Sequence, residues 1–323
     1  MRVSVVGNKH GLDDDKVSNL VARLNRLHDV EHTVAMLIAC GQRAIGPLKE
    51  FLLHGRPSGI YQPRQRAVEI LGRLGAKEVL MEYLRLPKDI PDPVARFGEE
   101  AVESTAAREL AMWQTDDVFQ LLLSVARERT LAGVIEALGE FRRTEAVSYF
   151  DKALEDDFCR SAAEEAFRKL GAAARPALIR SSKTPFPSPG EETPSSLRRR
   201  RSVVGLLAEI GVTHHDWCAL RPLLDEEDPD LVVAVARLAL TAGDNKDRMS
   251  AARRLLEVLP SADWYLQEEI EDCLVGIYRE SGPVLEETIE RLASRPDGRL
   301  VSDRVVRTLL RVRKRVVDSE PLP

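Results

Sequence analysis

Two histidines four residues apart have the clearest metal-binding spacing in this chain. His28 and His32, with Glu31 between them, match the H-x-x-E-H pattern by which one class of zinc peptidases holds its metal. Zinc would need both histidines on one helix face and a third protein ligand. That ligand would have to be a distant carboxylate such as Glu99, Glu100 or Glu103. Asp29 instead resembles a helix N-cap, which separates His28 from His32. We therefore expect no metal ion and no other cofactor.

Other patterns that could support chemistry are weaker. Gly55, Gly59 and Gly72 do not form a phosphate-binding or dinucleotide-binding loop, and the sequence yields no convincing catalytic triad or dyad. We therefore expect no enzymatic activity. Two basic clusters remain, which we interpret as solvated or internally paired, or alternatively as contacts for an acidic partner. They are Arg198, Arg199, Arg200 and Arg201, and the last helix with Arg304, Arg307, Arg311, Arg313, Lys314 and Arg315.

The elements that position these residues follow one repeated pattern. An apolar stripe at i, i+3, i+4 and i+7 is followed by a helix-ending residue, as in Ala67, Ile70, Leu71 and Leu74 before Gly75. We call this ending residue the marker. Nine markers occur, 28 to 40 residues apart: Gly41, Gly75, Gln114, Arg142, Gly171, Gly211, Gly243, Gly282 and Arg313. A repeat of this length indicates small units that bury their apolar faces by stacking.

Each unit reads as a helical hairpin. The stripe has helical spacing, and glycine at a helix end can enter the left-handed region without a steric penalty. A second apolar helix begins about four residues later, at Ile45, Val79, Val118 and Ala146 in the early units. The pattern predicts an all-α protein. The only β-like run, residues 2–6, is too short to count.

The pattern resembles the HEAT-repeat family, including the HEAT-like repeats of phycobilin lyases. The likeness is carried by the turn Asp228-Pro229-Asp230, by the phrase from Leu71 to Ala76, and by prolines that open second helices, such as Pro47 and Pro176. It implies an α-solenoid of about nine HEAT-like hairpins, an armadillo-like superhelix. It says little about function, because function lies in sites added to a fold. The irregular spacing disfavours tetratricopeptide repeats.

Enzymes on similar folds provide the alternatives. Deoxyhypusine hydroxylase binds iron through His-Glu pairs, but no histidine in this chain precedes a glutamate. A phycobilin lyase-like activity stays open. So does an alkylpurine DNA glycosylase-like activity, since Trp113 with Asp116 and Asp117 is similar to the tryptophan and aspartate of those enzymes. Trp113 occupies a stripe position, however, and is predicted to lie in the core.

In each helix that carries a stripe, positions i+2 and i+6 lie off the stripe. The residues at these positions are acidic or of mixed charge in the middle of the array and more basic near its ends. This favours a protein partner of complementary charge and disfavours phosphate tracking, although nucleic-acid binding through the last basic helix remains an alternative. We expect a non-enzymatic interaction scaffold or adaptor. The predicted partner-binding residues are Glu136, Glu140, Glu165, Arg198, Arg199, Arg200, Arg201, Arg307 and Arg311.

Composition agrees with a cytoplasmic, non-membrane protein. The 323 residues are 44% hydrophobic and carry a formal charge of −5, without a signal peptide or an apolar stretch that could span a membrane. Cys40, Cys159, Cys218 and Cys273 are far apart in sequence, which favours reduced thiols.

We predict an N-terminal extension over residues 1–12, one solenoid domain over 13–317 and a tail over 318–323. Proline-rich segments interrupt the pattern at 86–97 and 183–196, and the composition of the second predicts a flexible insertion.

Overall fold

The computed structural model describes residues 9–26, 30–187, 190–278, 282, 285–287, 290 and 299–319. Every regular element in these ranges is helical, which confirms the predicted all-α class. The β-like run at 2–6 lies outside the described residues. The chain divides into two compact units, Met1–Leu170 and Gly171–Pro323. This division lies inside the single domain predicted from the sequence, at one of the markers.

Unit 1 contains ten α-helices within its described residues. They are α1 (Lys9–Arg23), α2 (Val30–Ala39), α3 (Ile45–Leu53), α4 (Gln62–Arg73), α5 (Lys77–Arg85), α6 (Pro93–Leu110), α7 (Asp116–Glu128), α8 (Ala132–Glu140), α9 (Val147–Ala153) and α10 (Arg160–Leu170).

Unit 2 contains seven α-helices within its described residues. They are α11 (Arg175–Ser182), α12 (Pro194–Ile210), α13 (His214–Leu220), α14 (Pro229–Ala242), α15 (Asn245–Val258), α16 (Trp264–Gly276) and α17 (Arg299–Ser319).

The stripes fall on alternate helices, from α2 to α16, and on α17, and we call these the marker helices. In unit 1, α4 packs against α6, α6 against α8, and α8 against α10. In unit 2, α12, α14, α16 and α17 contact one another in the same order. The intervening second helices contact each other less extensively, as α3 does with α5. The marker helices therefore form the more tightly packed layer within each unit.

At four markers, glycine ends the helix by adopting the left-handed conformation, as predicted. Their φ angles lie between 57° and 84°, in the left-handed region: Gly41, Gly75, Gly171 and Gly211. Arg142 occupies the same conformation, with φ of 51°, although it carries a side chain. Gly243 differs, because its φ of −83° is an ordinary extended value.

The eighth copy of the stripe is displaced by one helical turn from the sequence assignment. Helix α16 ends at Gly276, so the assigned stripe at Leu274, Ile277 and Tyr278 runs past the helix end. The buried face instead uses Ile270, Cys273, Leu274 and Ile277, which have the same spacing. Two overlapping sets of apolar residues have the same helical spacing here. The set assigned from the sequence is not the one that the structure buries.

The two proline-rich interruptions lead into the two longest marker helices before α17. Asp92 caps α6 by accepting a hydrogen bond from the amide of Ala95 at 2.8 Å. Thr193 caps α12, and its own amide donates to the carbonyl of Phe186 at 3.0 Å. The amide of Phe186 in turn donates to Ser196 Oγ at 2.9 Å. The described part of 183–193 is thus hydrogen-bonded to the start of α12, and the flexibility of this insertion stays a prediction.

Candidate interaction surface

Three successive marker helices enclose a concavity in unit 1, which we call the central groove. It has a volume of about 450 Å³ and is formed by α6, α8 and α10. Small residues, including Ala111, Ala137 and Ala162, allow the helices to approach closely at its base. Its charged lining residues are Arg108, Glu136, Glu140, Glu165 and Lys169. The structure thus brings together the three glutamates that the sequence nominated for partner binding.

Ion pairs across the central groove reduce its acidity. Arg108 binds both carboxylate oxygens of Glu136, with Nη2 at 3.2 Å from Oε1, and Lys169 Nζ lies 2.7 Å from Glu140 Oε1. The side chains of Glu136 and Glu140 remain 38% and 50% exposed, so water competes for both pairs. Such pairs contribute about 0–1 kcal/mol each and can exchange for a partner's charges. The glutamates stay available, but the groove is mixed in charge.

Glu165 differs from the other two glutamates. Its nearest cation is Arg168, with the Nη1–Oε2 distance at 3.7 Å, and its side chain is 53% exposed. The lining of the central groove therefore holds three carboxylates against two cations. Arg168, which lies outside the lining, partly offsets the charge of Glu165.

A second concavity, the α2–α4 groove, lies on marker helices of the same unit. Its volume is about 860 Å³, and its apolar wall includes Val34, Ala35 and Ile38 of α2. Arg66 and Arg73 of α4 line the opposite side and form no ion pair within the described part of the chain. Glu31 and Glu69 line the same groove, so the α2–α4 groove, like the central groove, is mixed in charge.

The histidine pattern does not assemble a metal site in the described residues. His28 and Asp29 lie outside them, and His32 is exposed at the α2–α4 groove. The nominated third ligands Glu99 and Glu103 are buried in ion pairs with cationic side chains. No group of three or more histidine, cysteine, aspartate or glutamate side chains with metal-binding geometry occurs among the residues described.

The arginine run at 198–201 is mostly an internal element, which contradicts the prediction that Arg199 and Arg200 bind a partner. Arg199 is 5% and Arg200 1% exposed. Arg200 donates to the carbonyl of Ser182 at 2.7 Å and to Glu192 at 2.7 Å, and it also pairs with Glu226. Burial lowers the pKa of Arg200, but these two carboxylates outweigh burial and raise it. Arg199 also donates to the carbonyl of Thr184 at 2.6 Å, so the two arginines tie Ser182, Thr184 and Glu192 to α12.

The outer members of the run are also engaged. Arg201 Nε donates to Asp228 Oδ1 at 2.9 Å, and its Nη2 lies 3.0 Å from a carboxylate oxygen of Asp230. Arg198 donates to Ser195 Oγ at 3.1 Å. Asp228 at the same time caps α14 through the amide of Leu231. Arg201 therefore ties two marker helices together.

Three members of the C-terminal basic cluster, Arg311, Arg313 and Arg315, pair with carboxylates of unit 2. Arg311 Nε donates to Glu271 Oε1 at 3.0 Å, and Arg315 Nη2 to Asp272 Oδ1 at 2.8 Å. Arg307 is exposed on α17. The internally paired interpretation is confirmed for Arg311, whose pKa is raised by its hydrogen bond with Glu271. The partner-binding role of Arg307 and Arg311 stays a prediction.

The residues that resemble a glycosylase site lie at or near the surface of unit 1. Trp113 is half-buried, whereas the sequence predicted that it lies in the core. Asp116 and Asp117 are exposed at the start of α7, where they pair with Arg143 and Lys77, each at 2.7 Å. The hydrogen bond from Lys77 lowers the pKa of Asp117 to about 2, which makes its carboxylate a weak base.

Sequence reasoning missed a buried charge network in unit 1. Glu99 is 2% exposed and Glu103 is completely buried, yet both are ionic partners. Glu103 accepts two hydrogen bonds from Arg129, at 2.6 and 2.9 Å, and its Oε1 lies 3.4 Å from Lys88 Nζ. Arg64 pairs with Glu99 through both carboxylate oxygens. The signal was present, since the two glutamates are four residues apart and in phase with the buried face of α6.

Comparisons with known proteins add no family. No model of a protein family matches the chain, and no curated protein matches it. One similar solved structure is a crystal structure described only as an engineered protein, with 14% sequence identity. The match covers 97% of this chain and 90% of that one, at a TM-score of 0.36. At that score the likeness carries no argument about fold or function. Among the described helices, none combines the length and apolar character needed to cross a bilayer.

Proposed function

We propose that this chain is a HEAT-like α-solenoid that acts as a non-enzymatic protein-interaction scaffold or adaptor, with its marker helices as the binding face. The helix–marker–helix order supports the repeat assignment. So do the left-handed marker residues and the close packing of successive marker helices. In a curved stack the more tightly packed layer lies on the inner side, which is the usual binding surface of such arrays.

The central groove is the observation that carries the proposal. Three consecutive repeats contribute to one concavity, and its carboxylates are held in place while remaining about half exposed. A partner segment with lysine or arginine side chains can replace Arg108 and Lys169 as the counter-ion of these glutamates. Electrostatic complementarity of this kind supplies specificity and association rate more than affinity.

The test is affinity capture from native lysate, with and without nuclease, followed by charge reversal in the groove. The informative variant is E140K/E165K, and the matched control is E82K, a half-exposed glutamate on the second helix α5 that also forms an ion pair, with Lys49 at 2.7 Å. We expect a nuclease-resistant protein that is lost with E140K/E165K, retained with E82K, and bound more weakly as salt increases.

Two results would argue against the proposed function. One is a bound partner that is unaffected by reversing Glu140 and Glu165. The other is recovery of nucleic acid, or of proteins that disappear on nuclease treatment.

A further inference from the structure

Two exposed aromatic side chains lie at the start of α16, and we call them the aromatic corner. Trp264 is 75% and Tyr265 56% exposed. Their rings meet edge to face, with centroids 5.9 Å apart. The other two tryptophans differ, since Trp113 is half-buried and Trp217 is fully buried. An exposed indole gives up the burial that tryptophan normally supplies, and tryptophan is enriched among the residues that contribute most of the binding energy of an interface.

Contacts within α16 and with α14 hold the aromatic corner in place. The Tyr265 hydroxyl hydrogen-bonds to Glu269, one turn further along α16, and this bond raises the pKa of Tyr265. Glu269 in turn pairs with Arg237 of α14, whose Nη2 lies 3.3 Å from Oε1. Asp263 caps α16 by accepting a hydrogen bond from the amide of Leu266 at 2.8 Å, which fixes the turn that carries both rings. A surface that is already ordered loses little conformational entropy when a partner binds.

Glu268 supplies negative charge beside the aromatic corner. It is exposed and forms no ion pair within the described residues. Its charge acts on the Tyr265 hydroxyl, where it adds to the larger effect of Glu269 and further raises the pKa. Glu268 also lies four residues after Trp264, so the two side chains share one face of α16. A group bound on the Trp264 ring is therefore within reach of this carboxylate.

Carboxylates outnumber cations in the surroundings of the aromatic corner. Burial raises the pKa of Asp230 on α14. Arg201 opposes this effect, whereas the charges of Asp228 and Asp263 add to it. The charged groups around Asp230 and Tyr265 are the carboxylates Asp228, Asp230, Asp263, Glu268 and Glu269 and the cations Arg201 and Arg237. Both cations already pair with carboxylates of this set. Counting the exposed Arg307 of the adjacent helix α17 as a third cation, the region still has a net negative charge.

An exposed aromatic face beside a carboxylate is complementary to a guanidinium group. The negative π-face of an indole attracts a cation, and tryptophan does so more strongly than tyrosine or phenylalanine. A planar guanidinium can stack on such a ring while its N–H groups donate to a neighbouring carboxylate. Nucleobases also stack on exposed aromatic rings, but the surrounding carboxylates would repel their phosphates.

We propose that the aromatic corner binds an arginine side chain of a partner protein, with the guanidinium stacked on the Trp264 indole and hydrogen-bonded to Glu268. The negative surroundings attract a basic segment and disfavour an acidic one. The aromatic corner lies in unit 2 and the central groove in unit 1, so the proposal does not depend on the groove being a binding site.

The experiment uses the full chain labelled with 5-fluorotryptophan and titrated with synthetic peptides in fluorine-19 NMR. The chain has three tryptophans, and the signal of Trp264 is the one that W264F removes. The first peptide carries several arginines among glycine and serine. The second has lysine in place of arginine, and the third has citrulline, which keeps the planar group without its charge. We expect a saturable shift of the Trp264 signal with the arginine peptide, a weaker effect with lysine and none with citrulline.

The protein variants separate stacking from charge, with affinity measured by the anisotropy of a fluorescein-labelled arginine peptide. All are made in the E140K/E165K background, which removes the acidity of the central groove and should leave the shift of the Trp264 signal unchanged. W264L should weaken binding about tenfold, because leucine keeps an apolar side chain but has no π-face, and W264F should lose less. E268Q should weaken binding about threefold and reduce its salt dependence. The matched control E257Q removes the charge of an exposed glutamate on α15 that pairs with Arg254, and it should bind as the background does.

Several outcomes would overturn the proposal. Equal shifts with arginine and citrulline would show a contact that does not depend on charge, and equal affinity for arginine and lysine would exclude the stacked geometry. An equal loss with E257Q and E268Q would show general electrostatic attraction. A Trp264 signal that moves with oligothymidylate but not with the arginine peptide would assign the aromatic corner to single-stranded nucleic acid. Dimerisation that W264L abolishes in sedimentation velocity, without peptide binding, would assign it to a second copy of this chain.

Discussion

Replacing Glu103 by glutamine tests how the buried charge network stabilises unit 1. Glutamine keeps the shape of the side chain but removes the charge that faces Arg129 and Lys88. The network then holds three cations, including Arg64, and only Glu99 as a carboxylate. The charged form of Lys88 is destabilised most by this change, because its side chain is only 9% exposed and burial already lowers its pKa.

The expected destabilisation can be worked from burial. Removing one partner of a buried ion pair costs about 3–5 kcal/mol, because the other partner stays desolvated. Arg129 is 30% exposed and can turn toward water, which places the expected cost for E103Q near the lower limit, about 3 kcal/mol. With an m-value of about 2 kcal/mol per molar urea, the unfolding midpoint falls by about 1.5 M.

The assay is urea unfolding at neutral pH followed by far-ultraviolet circular dichroism. The matched control is E136Q, which breaks the exposed pair with Arg108 and should cost less than about 1 kcal/mol. The double variant K88M/E103Q removes the orphaned cation together with the carboxylate, so it should recover part of the lost stability. If E103Q shifts the midpoint no more than E136Q does, the cations relax into water and the reasoning from burial is wrong.

Three further predictions follow from single residues. R142G should raise stability by about 0.5–1 kcal/mol in thermal or urea unfolding, because it relieves a non-glycine residue at φ of 51°. E109Q should be stabilising at pH 7 but not at pH 4. Burial, and then the nearby Glu69, raise the pKa of Glu109, so its contribution to stability is present at low pH and is lost as the carboxyl ionises. In maleimide labelling followed by mass spectrometry, exposed Cys218 should react first, whereas Cys159 and Cys273 should react only on unfolding. Burial raises the pKa of both to about 11.

Much of the fold was predictable because its signals are local. Helical spacing and left-handed chain endings depend on neighbouring residues, so Gly75 and Gly211 could be assigned from their own segments. The same rule failed at Gly282, where two apolar registers fit one period and only packing decides between them. It also failed at Arg313, which lies inside α17 and does not end it. At Arg142 it correctly placed a helix end without a glycine to signal it.

The candidate surface was less predictable because it depends on distant pairs. Glu136 and Glu140 were recognised as outward-facing, but their counter-ions lie 28 and 29 residues away in neighbouring repeats. The prediction that Arg200 binds a partner was wrong for the same reason. A run of arginines reads as a basic surface until the structure shows that Glu192 and Glu226 enclose it. Periodicity locates a side chain on a face, whereas its charge environment comes from other elements.

The pairs on either side of α8 also restrict how this array could have grown. Arg108 meets Glu136 at matching positions of adjacent helices, and Glu140 meets Lys169 one turn further along. A tandem duplication of the α8 hairpin would set Glu136 and Glu140 against their own copies, glutamate beside glutamate at both positions. Loss of that hairpin would instead bring Arg108 toward Glu165. Loss of the hairpin would thus keep an ion pair at this point, whereas an inserted copy would add two like-charge contacts, each costing about 1 kcal/mol or less at these exposed positions.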